Sequence, residues 1–324
     1  MLDKGEARSA SGEKRRRYLR WGRITVTIAA VAYLASRVEP RDVLNAFQRL
    51  SAGAALTSIA VVMMGLLCGM IRWRLLLRAY GAIDLPSWPR VAHLYFVGHF
   101  YNTYAPGGVG GDVIRGVAGR KAFGDLDLAS ATSGVAVVFI ERVIGVSALL
   151  VLATGAYLIQ PIPGIDGVGL WATLGLGAAA AALIGIAIAP RLAPLLPPKL
   201  GKPLRALPRL YAVGPFLLAV GLSLIIHFIN IVAGHAIMHS LEPSVTFAQS
   251  AVVMPLISAS AFFPFTVGGA GIREAAFATL YGTVGVPEAS AYAASLSFWA
   301  VQLLTAGIGG IINLLVPLSG TDRE

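Results

Sequence analysis

Six stretches of this sequence, residues 50–71, 91–111, 167–190, 210–241, 243–272 and 289–321, contain no Asp, Glu, Lys or Arg. A helix needs about 20 mostly apolar residues to cross the hydrocarbon core of a bilayer, so this spacing of charge constrains the fold more than any other feature. A shorter run, 24–36, crosses if Arg23 and Arg37 snorkel to the two interfaces. Residues 128–159 form one further run, broken only by Glu141 and Arg142. Composition agrees: 56% of the chain is hydrophobic and 13% charged, against roughly a quarter charged in soluble domains. Twenty-six basic residues stand against sixteen acidic ones, but they fall in the gaps between apolar runs. The excess therefore reads as membrane topology and not as a nucleic-acid footprint. Cys68 is the only cysteine, which excludes an intramolecular disulfide and a cysteine metal site.

Two runs end in clusters that cannot continue a helix, Pro106-Gly107-Gly108-Val109-Gly110-Gly111 and Pro264-Phe265-Thr266-Val267-Gly268-Gly269. Irregular backbone at membrane depth persists only where it is buried in protein or lines a wet cavity. Both are read as re-entrant hairpins. The fold class is all-α integral membrane, with six transmembrane helices at about 24–38, 51–71, 128–159, 168–190, 210–238 and 289–317 plus the two hairpins. This count puts 1–23, 72–90, 112–127, 191–209 and the C-terminal tail in the cytoplasm, where they hold twenty-one of the twenty-six basic residues. The outside loops at 160–167 and at 239–246 hold none, although Arg41, Arg49 and Arg273 fall on the outer side elsewhere. Residues 1–23 are expected to form a basic cytoplasmic tail and not a cleaved signal. The transmembrane domain is 24–318, and 319–324 is a short C-terminal cytoplasmic tail.

The two breaks superimpose without a gap at an offset of 158 residues, matching Pro106, Val109, Gly110, Gly111, Ile114 and Arg115 to Pro264, Val267, Gly268, Gly269, Ile272 and Arg273. The same offset carries the spans at 51–71 and 128–159 onto expected spans. Each half, about 24–160 and 167–317, holds three crossings and a hairpin, so the second half enters from the opposite face. That arrangement is an inverted-topology repeat, whose substrate sites lie where helices are interrupted at the repeat interface.

The candidate substrate-binding residues follow from that expectation: Asn102, Pro106, Gly110, Gly111, Asp112, Arg115 and Glu141 in the first half, and Pro264, Gly268, Gly269, Arg273 and Glu274 in the second. Glycines allow close backbone approach, free N–H groups at a following helix start favour an anion, and Arg115 and Arg273 can pair with phosphate in a bidentate manner. The plainer alternative is that the glycines let the hairpins pack and the arginines reach the interface. Asp112 and Glu274 neutralise the neighbouring arginines or carry a coupling proton. Glu141 faces the interior, with Arg115 or Arg273 as its partner, and Arg142 makes a structural tie. His99, Asn102 and Asn230 read chiefly as hydrogen-bonding glue between helices, and Phe96, Phe100, Tyr101 and Tyr104 as packing. His227, His235 and His239 lie along one helix with no carboxylate to complete a metal site. No metal or cofactor is expected, and no nucleophile elbow, Walker loop or HExxH pattern occurs in the sequence.

The segments from Phe100 to Arg115, from Glu141 to Gly145 and from Pro264 to Glu274 together resemble the lysylphosphatidylglycerol synthase transmembrane-region family, also called flippase-like. The likeness covers nearly the whole chain after the basic tail. Ala105 stands where the family commonly has Leu. The resemblance implies the lipid-translocating part of such proteins without their aminoacyltransferase domain, so synthase activity is not inherited. The expected function is translocation of an anionic or zwitterionic lipid between leaflets of a cytoplasmic membrane, by a protein that is not an enzyme. Its partners would be membrane lipids and a separate lipid-modifying enzyme, with no nucleic acid. The alternatives are an accessory subunit that presents lipid to a transferase and, behind it, a membrane-embedded lipid-modifying enzyme.

Overall fold

A computed structural model describes residues 41, 44–45, 48–104, 108–124, 128–161, 168–195, 197, 207–260 and 271–318. Among them the regular structure is helical throughout. In chain order the helices are α1 (Ala52–Ala79), α2 (Trp88–Tyr104), α3 (Gly110–Gly119), α4 (Leu128–Ile159), α5 (Val168–Leu192), α6 (Val213–Leu241), α7 (Phe247–Ser260), α8 (Ile272–Gly282) and α9 (Glu288–Leu315). Short 3-10 turns follow α3 and α5.

Among the described residues four helices are long and apolar enough to cross a membrane: α1, the Ser133–Ile159 portion of α4, α6 and α9. They leave Leu56, Leu67, Phe139, Leu217, Leu218 and Leu304 exposed, which is the surface expected of helices solvated by lipid and not by water. α5 spans the expected crossing at 168–190, and its described apolar stretch is Leu174–Ala189. The expected first crossing at 24–38 and the two terminal tails lie outside the described residues.

The sequence expectation ended the second crossing at residue 71 and put Arg72 in a cytoplasmic loop. The structure corrects this: α1 continues to Ala79, carrying Arg72, Arg74 and Arg78 as helical residues. The reason is packing. Trp73, Leu76, Leu77 and Ala79 are fully buried, so the apolar face outlasts the uncharged run, and Ser51 caps the helix start by accepting from the Ala54 N–H.

α1 and α6 form the most extensive helix pair. The backbone N–H of Ser51, before α1, donates to Ser240 near the end of α6, whereas Tyr211 and Ala212, before α6, donate to Ala79 at the end of α1. The two helices therefore run antiparallel, and Ser58, in the second turn of α1, ties them again by donating to the Ala233 carbonyl.

An offset of 158 carries α1, α2 and α4 onto ranges overlapping α6, α7 and α9. The packing repeats with the ranges. α2 lies on α9 while α7 lies on α4, and the pairs α2/α3 and α3/α4 recur as α7/α8 and α8/α9. Among the described residues there are two apolar cores, and each draws on both halves, the first through Phe216 and Ala219 and the second through Val62. One is built around Trp73, Leu76, Leu94 and Ile140, the other around Met254, Phe277 and Tyr281.

Candidate functional site

α2 and α3 fold back on each other because glycine permits it. A Cβ on Gly111 would run into the backbone of Gly98, so the two helices touch main chain to main chain. Gly108 has φ +65, the left-handed conformation that glycine adopts without strain. Gly111 therefore makes the packing contact between the two helices. Asn102, at the end of α2, accepts from the backbone N–H groups of Gly111 and Asp112 and donates to the Asp112 carboxylate. It caps α3 from another helix. The expectation of free N–H groups there is corrected: two of them are already taken.

This hairpin delivers Asp112 and Arg115 to α4, where the charges join into one chain. Arg115 Nη1 donates to Glu141 Oε2 at 2.7 Å, and its Nη2 donates to Asp112 Oδ1 at 2.8 Å. Arg142 donates through Nε to Asp112 Oδ2 at 2.6 Å. Arg72, from α1, donates through Nη2 and Nε to Glu141 Oε1 at 2.7 and 3.2 Å, and through Nη1 to Ser223 on α6. Two aromatic rings, Tyr95 at 4.7 Å and Trp73 at 5.8 Å, lie against the Arg115 guanidinium. The Glu141 side chain is 2% exposed and that of Arg115 7%, so these charges sit in a low-dielectric interior. There an ion pair is stable only with its remaining hydrogen bonds made. Of the two partners expected for Glu141, the structure selects Arg115.

A cavity of about 190 Å³ opens beside the cluster, lined by Arg72, Arg115, Glu141 and Arg142 together with Tyr95, His99, Asn102 and His227. Sequence reasoning missed Arg72 and gave His227 no role. The signal for Arg72 was the apolar period of Met70, Trp73, Leu76 and Leu77, which continues past it. His99 faces Thr305 of α9 at 3.3 Å, as expected of glue between helices. Asn230 instead donates to the Ile226 carbonyl of its own helix, which corrects its assignment. Phe100 meets Tyr101 edge-on and Tyr104 at a tilt, and Tyr104 donates to the Leu303 carbonyl of α9.

The second break is built differently. Arg273 and Glu274, at the start of α8, pair with each other. Ser295 of α9 donates to Glu274 and also accepts from Arg273 Nε, both at 3.2 Å. The other Glu274 oxygen accepts from the Gly271 N–H at 2.5 Å, closing the start of the helix. The Trp299 ring lies 5.3 Å from the Arg273 guanidinium. Pro106, Pro264, Gly268 and Gly269 lie outside the described residues. Gly110 is the first residue of α3.

The sequence matches the family described as Lysylphosphatidylglycerol synthase TM region over residues 20–310, and the chain belongs to that family. No curated protein matches it significantly.

Proposed function

We propose that this member of the lysylphosphatidylglycerol synthase transmembrane-region family is a translocase that moves a polar lipid, anionic or zwitterionic, between the leaflets of the cytoplasmic membrane. The headgroup is held at the Arg72–Glu141–Arg115–Asp112–Arg142 cluster while the tails remain in the bilayer. Family membership supports a membrane lipid role. The observation that carries the finer reading is the cluster itself, five buried or half-buried charges on three helices beside a cavity. Ionisable groups within membrane helices are expensive and mark substrate pathways. A lipid phosphate entering here competes with Glu141 and Asp112 for guanidinium donors, so binding loosens ties between α1, α3 and α4.

Two further features support translocation. α1 and α6 correspond at the 158-residue offset and run antiparallel side by side, the relation expected of an inverted-topology repeat with six crossings and two re-entrant hairpins. The basic bias of the loops favours cytoplasmic termini, and the bias survives moving Arg72 from a loop into α1. Neither step requires covalent chemistry on the lipid.

The test is reconstitution of the purified chain in liposomes with labelled phosphatidylglycerol and, in parallel, a labelled neutral lipid. Faster redistribution of the anionic lipid than in empty liposomes, abolished in a folded Arg115→Ala, Arg273→Ala variant, is the expected result. Specific lipid binding without any acceleration would replace translocation by presentation of lipid to a separate enzyme.

A further inference from the structure

α5 and α6 follow each other in the chain but pack elsewhere: among the described residues α5 lies chiefly on α4, and α6 chiefly on α1. Between them runs a groove of about 1030 Å³. Its floor belongs to the apolar core, because Leu183 of α5 and Phe216 and Val220 of α6 join the cluster around Trp73. Phe216 also meets the Tyr80 ring edge-on at 6.2 Å. Its rims, Ile184 on α5 and Leu217 on α6, are exposed. These residues lie within apolar stretches of both helices, and an apolar space at membrane depth is filled by hydrocarbon and not by water.

One end of the groove differs. Arg191, in the last turn of α5, lines it together with Arg209 and Tyr211, which precede α6. The main chain is anchored there: Tyr211 and Ala212 donate to the Ala79 carbonyl, and the Tyr211 ring lies where a Cβ on Gly81 would stand 2.7 Å from it. No Asp or Glu occurs from residue 167 to residue 241, so neither helix nor the segment joining them supplies a carboxylate to this end. Basic pockets between membrane helices near the bilayer surface bind anionic headgroups, and a guanidinium matches two phosphate oxygens at once.

We propose that this groove holds one phospholipid of net negative charge, with its phosphate at Arg191 and Arg209 and a hydrocarbon chain between α5 and α6. The lipid stands in for direct packing between the two helices. A zwitterionic phospholipid fills the apolar part equally well but brings an ammonium to an end that carries two guanidinium groups. The groove shares no lining residue with the cavity at Arg115 and Glu141, so its test is independent of the translocation reading.

The experiment places full-length Leu217→Trp protein in phosphatidylcholine nanodiscs that contain a small fraction of phospholipid with brominated chains, which quench indole fluorescence on contact. The signal of the wild-type protein, with its five tryptophans, is subtracted. Brominated phosphatidylglycerol is expected to quench the added indole at least about fivefold more steeply with mole fraction than brominated phosphatidylcholine. That preference should vanish when Arg191→Gln and Arg209→Gln are combined. Equal slopes for the two lipids overturn the inference and leave the arginines as interfacial anchors only. A preference that survives the double substitution overturns it as well. Quenching by neither lipid means that protein occupies the groove, which also overturns it. If Leu217→Trp does not fold, Ile184→Trp on the other rim carries the same measurement.

Discussion

Arg115 and Arg273 stand 158 residues apart, Arg115 midway along α3 and Arg273 at the start of α8, each after a glycine-rich sequence, yet their surroundings differ. Arg115 meets Glu141 on the following long helix; at the matching offset the residue is Trp299, and it is the Trp299 ring that lies against Arg273. Arg72 has Asn230 as its counterpart, and Asp112 has Ala270. The two segments share the arginine and the Pro/Gly-rich sequence before it, but among the described residues only the first has counter-charges shared between helices. The first cluster spans three helices, whereas Arg273 pairs with the next residue in the chain. A charge network that crosses helices can respond to a ligand by changing how those helices pack. A self-contained pair has less to transmit.

The sharpest way to break this comparison is to neutralise the acid in each half. Glu141→Gln strands Arg72 and Arg115 with no shared counterion, and the expected loss of stability is about 3–5 kcal/mol. Glu274→Gln leaves Arg273 its Ser295 contact and the Trp299 ring, so the expected loss is about 1–3 kcal/mol. Melting curves of both variants in the same detergent decide the matter, and equal losses would make the two clusters alike.

Gly111→Ala separates α2 from α3 at their closest approach, at an expected cost of about 1–3 kcal/mol. Proteolytic sensitivity of the α2–α3 segment should rise with it. Asn102→Ala uncaps α3 and should cost about 1 kcal/mol in the same melting assay, with a further loss of lipid binding because Asp112 is no longer oriented. The smallest effect is expected outside both clusters. Arg49 pairs with Glu242 across an open end of the α1–α6 pair, and Arg49→Ala should cost less than about 1 kcal/mol.

Much of this comparison was legible in the sequence because its parts are local. Asp112 and Arg115 lie one helical turn apart, Arg273 and Glu274 are adjacent, and both sit beside breaks that announce themselves through Pro and Gly. Charge spacing also located the long helices, since burial in lipid and the absence of Lys, Arg, Asp and Glu go together. What sequence could not give was partnership across helices. Arg72 looked like the first residue of a loop because it ends an uncharged run, and only the packing of Trp73, Leu76 and Leu77 keeps it in α1. His227 looked like one of three histidines on a helix, and only the packing of α6 brings it to the cavity beside Arg72 and Glu141. Asn102 looked like glue between helices, but its main task is to cap α3, a geometry set by the Gly98–Gly111 contact.

The central claim is that the first-half cluster holds the headgroup, and the most direct measurement compares Arg115→Gln with Arg273→Gln in liposomes bearing labelled phosphatidylglycerol. Loss of the lipid-moving activity in Arg115→Gln, with a substantial fraction retained in Arg273→Gln, is the predicted result. Wild-type rates in a folded Arg115→Gln protein would contradict it.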